Sequence, residues 1–286
     1  MMINQNPRVV PVFGILTMSD EERKFRGNTK NFIDIIRTGE EMGVRVYVVT
    51  VEDLKSLQPV IKGYQYDFAN KSWIERNIPL PSIIYNRIPY REDEILPETK
   101  ATIKSCMKHP GVRLFNPGFF NKWHLFEWLR GSSQTKKYIP STRRFSSSVS
   151  LKKMLSQHPL LYLKPEKGKA GHGIMKVEWN RHDAMPYHLS VQDKKRSRVF
   201  KFKTTTSLRK KIVQHIGEDE YIVQQGIALA EYNDRPFDLR VLVQKNYLGK
   251  WSISGIGARI AGSSSITTHV PRGGSIDDPE KLLTYS

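Results

Sequence analysis

Leu161 to Val177 reads LYLKPEKGKAGHGIMKV. The stretch opens with alternating apolar residues, as a strand does. It then passes Lys164 and Pro165, crosses a glycine-rich loop and resumes as an apolar segment. Strand, glycine loop, strand is the plan of a flap that folds over phosphates. Gly168, Gly171 and Gly173 permit positive φ and close backbone approach, and successive N–H groups in such a loop form an anion-binding concavity. Lys164 and Lys169 add point charges beside it. The P-loop pattern does not fit: it needs Gly-Lys-Ser/Thr, and Gly171 is followed by His172 and Gly173. A dinucleotide loop should open a helix, whereas Ile174 to Trp179 reads as a strand. On these residues alone, a plain hairpin turn with surface lysines is equally open.

The chain of 286 residues is long enough for two domains or one large one. With 38% hydrophobic residues it should build a folded core. A single cysteine, Cys106, excludes an internal disulfide framework and fits a reducing cytosol. No apolar run approaches bilayer-spanning length, and the N-terminus lacks a signal-peptide apolar region. A cytoplasmic protein with no membrane partner is therefore expected. The formal net charge of +18 attracts polyanions, whether nucleotides, nucleic acid or anionic surfaces, without choosing among them. Its densest run, Lys194 to Lys211, has Phe200 and Phe202 interleaved, which could be a base-stacking strip. An alternating strand followed by a capped helix explains it more simply.

Upstream of the opening stretch, Val9 to Leu16 suits a buried strand. The apolar spacing of Phe32, Ile33, Ile35 and Ile36 predicts a helix over Asn28 to Met42, ended by Gly43. Val44 to Val51 then reads as a second strand, so the three form a βαβ unit and imply a parallel sheet. Ser82 to Arg87 and Arg113 to Phe115 read as strands and Glu98 to His109 as a helix. Phe119 to Leu129 has a helical repeat, and Ser146 to Ser150 can cap a helix over Leu151 to Gln157.

Downstream, Arg198 to Lys203 alternates, with Val199 and either Phe200 or Phe202 toward the core. Thr206 or Ser207 caps a helix to Ile216. Tyr221 to Gln225 is a strand; Phe237 to Gln244 and Trp251 to Ile260 form a hairpin across an Asn246 to Gly249 turn. Ile266 to Val270 reads as a last short strand, followed by a loop and a helix over Asp277 to Leu283.

On the hairpin, Asp238 and Arg240 fall on one face and Leu239, Val241 and Val243 on the other. An arginine there can hold a phosphoryl oxygen in its planar fork, and the aspartate can orient it or help hold Mg²⁺. Arg259 ends the partner strand, so two guanidiniums could meet one site. An ordinary cross-strand ion pair explains an isolated Asp-x-Arg as well. The histidines show no two-ligand spacing with an acidic helper, and Cys106 lacks a nucleophile's pattern.

The order of these features resembles the ATP-grasp fold. FGILT, GVRVYVV, IIYNR, FNKW, YLKPEKGKAGHGI, YIVQQGIALA and RPFDLRVLVQ, followed by GARIAG and PRGG, are similar to the YheC/YheD group of that family, described as endospore coat-associated. The resemblance implies an α/β plus α+β architecture. A Rossmann-like pre-ATP-grasp domain (1–118) would precede an ATP-grasp domain (119–286). In that family two α+β subdomains grip ATP between them. Carried over by motif, Lys122 and Lys164 would reach the phosphates, and Gly168, Lys169, Gly171 and Gly173 would close over them. Gln224, Gln225 and Ile227 would form the hinge whose backbone reads adenine. Asp238 would belong to the nucleotide site, and Arg240 and Arg259 would face the γ-phosphate or an acyl phosphate. The family's Mg²⁺ ligands, an acidic residue and a Glu-x-Asn pair, are not found after Gly274, and His269 stands where related sequences lead one to expect asparagine. The chain is expected to be cut short before the metal-binding strands, with catalysis impaired. Implied partners are ATP, an unidentified acceptor substrate and spore coat proteins. The alternatives are a non-catalytic spore assembly protein and a basic nucleic-acid-binding protein.

Overall fold

A computed structural model describes residues 11–146, 149–167, 171–193 and 196–284. The chain divides into two compact units, the first ending at Phe119 and the second beginning at Phe120.

In the first unit β1 (Val12–Thr17) is almost wholly buried. A two-residue ladder, β2 (Ser19–Asp20) with β3 (Lys24–Phe25), leads to α1 (Thr29–Glu41). The Asn28 side chain caps α1 by accepting from the Asn31 N–H, a contact typically contributing about 1 kcal/mol. β4 (Arg45–Thr50) pairs parallel with β1, completing the βαβ unit. Next come β5 (Val60–Asp67), β6 (Ser72–Pro79), β7 (Ile83–Asn86), α2 (Arg91–Glu94), α3 (Pro97–Lys108) and β8 (Arg113–Phe115). The strand order is β6-β5-β4-β1-β7-β8.

The sheet is mixed rather than wholly parallel. β4, β1, β7 and β8 run parallel, while the hairpin β5–β6 adds to one edge antiparallel. Alternation in β1 sends Ile15 to one face and Leu16 to the other. Ile15 packs with Phe32 and Ile36 of α1, Leu16 with Ile103 and Cys106 of α3, so both faces are covered. Burial pushes the Cys106 thiol up to about 11, as suits a packed side chain rather than a nucleophile.

In the second unit α4 (Lys122–Gly131) begins three residues after Phe119, because the Asn121 side chain accepts from the Trp123 and His124 N–H groups and sets the start there. A 3-10 turn (Lys136–Tyr138), β9 (Thr142–Arg144) and α5 (Leu151–Gln157), capped by Ser150, follow. Then come β10 (Leu160–Pro165), β11 (Met175–Trp179), β12 (Tyr187–Gln192), β13 (Ser197–Phe202), α6 (Thr205–Ile216) and β14 (Tyr221–Gln225). They form an antiparallel sheet in the order β13-β12-β11-β10-β14-β9. Leu151, Leu155, Leu208 and Ile212 of the two helices pack on Leu161, Leu163, Val177 and Val223.

Two local expectations are corrected here. Thr204, not Thr206 or Ser207, caps α6; the Ser207 N–H donates to its hydroxyl. Val199 points outward at 57% exposure, while Phe200 and Phe202 face the core. The register explains this: Phe200 lies opposite buried Leu189, and cross-strand partners share a face.

The rest of this unit is β15 (Glu231–Tyr232), β16 (Arg235–Lys245), β17 (Trp251–Ile260), β18 (Ser275–Asp277) and α7 (Pro279–Leu283), with strand order β15-β16-β17-β18. The β16–β17 hairpin pairs Phe237 with Ile260 at its base and Lys245 with Trp251 at its tip, with an irregularity at Leu242/Val243. Ile266 to Val270 is a loop, not the expected strand. The buried Gln192 side chain accepts from the Ile266 N–H (3.0 Å) and the Ser265 hydroxyl (3.1 Å), and Val270–Arg272 turns as a 3-10 helix.

Candidate nucleotide site

Strand alternation places Leu161 and Leu163 of β10 in the core and sends Tyr162 and Lys164 to the opposite face. Antiparallel pairing sets Gln224 of β14 on one side of Tyr162 and Lys176 of β11 on the other. Across from them lie Asp238 and Arg240 of β16 and the 261–269 loop. Together they enclose a cavity of about 310 Å³, at the lower end of the usual range for small-molecule sites. Ile174, Ile227, Leu229 and Pro236 give it apolar walls.

Lys164 Nζ donates to Gln224 Oε1 at 2.7 Å, and Gln224 Nε2 donates to Thr142 Oγ1 at 2.9 Å, which fixes the amide. Burial, then the charges of Lys122 and Arg240, hold the Lys164 ammonium below its ordinary 10.5. Arg240 donates through Nε and Nη2 to the two Asp238 oxygens at 2.9 and 3.1 Å. The Thr268 hydroxyl donates to Asp238 Oδ2 at 2.7 Å. The aspartate therefore orients the guanidinium within its own strand; the pair is not cross-strand. Lys164, Lys176 and Arg240 line the cavity with Asp238 as the one carboxylate among the described lining residues, and Lys164 has only the neutral Gln224 amide as its hydrogen-bond acceptor, a balance that favours an anionic occupant.

The remaining sequence-predicted residues fall in different places. Gln225 and Ile227 line the cavity. The Gln225 N–H donates to Ser141 O and the Gly226 N–H to Leu160 O, whereas among the described residues Ile227 N–H has no partner. Arg259 lies opposite Asp238 in register but is not among the lining residues. Lys122 also stays outside; its ammonium donates to the carbonyls of Pro165 (2.9 Å) and Glu166 (3.4 Å), close enough to act on Lys164 by charge.

Gly171 has φ +74, and a Cβ there would lie 3.2 Å from His269 Nδ1 and 3.3 Å from Thr267 Oγ1, so the glycine loop abuts the cavity wall. Gly173, φ +67, packs against Tyr221, whose hydroxyl donates to its carbonyl at 3.0 Å. Gly168 and Lys169 lie outside the described residues.

The sequence reading missed Glu166. Its carboxylate is 1% exposed and takes Arg144 Nε at 2.9 Å and Asn121 Nδ2 at 3.3 Å, tying the start of α4 to the end of β10. It also missed Thr268, which ties the loop to Asp238, 30 residues away in sequence, and Gln192, which holds Ile266 of the loop from 74 residues away. No local pattern marks these contacts.

Mg²⁺ does not fit the described residues. No three His, Cys, Asp or Glu side chains converge among them. Among the described residues Asp238 is the one carboxylate lining the cavity, and it already receives Arg240 and Thr268.

An antiparallel sheet bearing a glycine loop, facing a second, hairpin-based sheet across a cation-lined cavity, defines the ATP-grasp class. Residues 111–286 match the family described as YheC/D like ATP-grasp, and the chain belongs to that family. It is 27% identical over 285 residues to the endospore coat-associated protein YheD of Bacillus subtilis, covering 96% of this chain. It is 26% identical over 229 residues to YheC of the same organism, covering 79% of this chain. The matches span 62% and 61% of those two curated relatives. Among solved structures it is similar to D-alanyl-alanine synthetase A from Vibrio cholerae: 12% identity, TM-score 0.44, with 96% of this chain and 79% of that one covered. No helix among the described residues is long and apolar enough to cross a membrane.

Proposed function

We propose that this chain binds ATP in the cavity between β10–β14 and β16–β17. The observation that carries the reading is the Lys164 ammonium, desolvated and facing Arg240 inside a cavity that also has apolar walls. Lys164 and Arg240 would meet the phosphates. Lys122 and Arg259 would add charge from behind, and Gly168, Lys169, Gly171 and Gly173 would close over the top. The base would lie along Gln224, Gln225 and Ile227, with the open Ile227 N–H as its backbone donor. Asp238 would keep Arg240 in its fork.

The reaction expected of the class joins a carboxylate to an amine. The carboxylate oxygen attacks the γ-phosphorus and displaces ADP, the amine attacks the acyl phosphate, and inorganic phosphate leaves. The described residues supply cations for this but no carboxylate cage for Mg²⁺, so the proposal is ATP binding with impaired turnover. Association with the endospore coat, in the cytoplasm of the developing cell, is proposed from the identity shared with YheD across the chain.

ATP should raise the melting temperature of the purified chain; saturation at one hundred times Kd corresponds to about 2.7 kcal/mol. No shift at millimolar ATP contradicts the reading. ADP release on adding an acid and an amine would contradict impairment. Salt-dependent DNA or RNA binding, indifferent to ATP, would favour the nucleic-acid alternative.

A further inference from the structure

His269 lines the cavity and has no part in the reading above. Its carbonyl accepts from the Arg272 N–H (2.8 Å) and the Gly274 N–H (3.2 Å), which fixes the backbone at the root of the ring. Its Nδ1 is buried, and among the described residues no hydrogen-bond partner reaches it. A buried polar atom without a partner destabilises a fold, so native structures seldom keep one that has no use. This atom faces the backbone of Gly171, within the loop that abuts the cavity. Around the ring stand Arg240, Arg259 and Lys164, with Asp238 the opposing charge.

We propose that His269 is a phosphate-binding residue of this cavity, its Nδ1–H donating to a terminal phosphoryl oxygen held between Arg240, Lys164 and the Gly171 backbone. The inference rests on the ATP reading and deepens it. It supplies a partner for the buried Nδ1, which meets none among the described residues: in the tautomer that carries the proton there, that partner is an anion. Burial and the neighbouring guanidiniums also keep the ring below its ordinary 6.5, hence neutral near pH 7, and a neutral ring can present Nδ1–H without adding to the cationic repulsion.

The test is calorimetric titration of ATP and AMP into wild type, His269→Ala, His269→Phe and His269→Asn, each first checked by thermal melt for folding. His269→Ala should bind ATP about tenfold more weakly, and AMP within roughly twofold of wild type. His269→Phe, a ring without a donor, should behave like His269→Ala and decides the matter if the alanine variant does not fold. His269→Asn, which keeps an N–H donor, should recover most of the loss. Wild-type ATP affinity in the donor-free variants overturns the inference and leaves the cavity reading standing. So does an equal loss for ATP and AMP, or an asparagine variant as weak as alanine. A wild type that binds neither nucleotide overturns the cavity reading and this inference together.

Discussion

The β9–β14 sheet and the β16–β17 hairpin are both antiparallel and both alternate, yet their apolar faces meet opposite fates. In the sheet, Leu161, Leu163, Val177 and Leu189 lie under α5 and α6 and are fully buried. In the hairpin, only the base is covered: Phe237, Ala258 and Ile260 pack on Leu282 of α7. Further along the same face Val241 is 48% exposed and Ile253 62%. Alternation decides which side chains share a face; whether that face becomes core depends on an element to cover it. The candidate site exploits both halves. Lys164 is held by a strand whose reverse side is core, and Asp238 and Arg240 sit just beyond the covered base of the hairpin.

The largest effect should come from the covered side. Leu163→Ala removes a fully buried side chain and should lower stability by about 2–5 kcal/mol in urea unfolding. A loss under about 1 kcal/mol would mean that the sheet is not the stable half.

Lys164→Met sharpens the contrast by separating binding from folding. The variant should weaken ATP at least roughly tenfold, the usual order for losing a charge-assisted contact. Its melting temperature without nucleotide should not fall, and should rise if charge repulsion outweighs the lost Gln224 contact. A lysine whose pKa folding lowers destabilises the native state at every pH below the folded value. That penalty fades only as pH rises through the folded value toward 10.5. In the wild type, nucleotide-free stability should therefore gain this contribution as pH rises toward 10.5, and the methionine variant should lack it.

Asp238→Asn loosens the Arg240 fork without removing the cation. ATP affinity should drop by roughly threefold to fivefold, with Arg240→Ala no worse than Lys164→Met. Val241→Ser, on the uncovered face, should change stability by no more than about 0.5 kcal/mol. A core-sized loss there in urea unfolding would show that the face is covered in solution.

Much of this was legible in local sequence. Leu151–Gln157, Tyr221–Gln225 and Trp251–Ile260 fall where spacing and turn residues put them, because capping and alternation act within a few residues. The β5–β6 hairpin was not. Val60 is exposed, Lys62 and Gly63 interrupt the apolar run, and the turn needs Lys71 at φ 50. A peripheral hairpin of that composition carries weak alternation. In the site, Lys164, Gln224, Gln225, Ile227, Asp238 and Arg240 line one cavity. What joins them was invisible: Glu166 looks like any acid after a proline, and Gln192 and Thr268 act only through contacts distant in sequence.

The central claim is that specific residues of one cavity, rather than the net charge of +18, hold the nucleotide. Calorimetric titration of ATP into wild type, Lys164→Met and Lys210→Met tests it most directly, since each variant removes one positive charge and only the first touches the cavity. The account predicts binding by wild type and Lys210→Met with equal affinity and a loss of at least about tenfold in Lys164→Met. Equal affinity in all three proteins, or equal weakening in both variants, would contradict it.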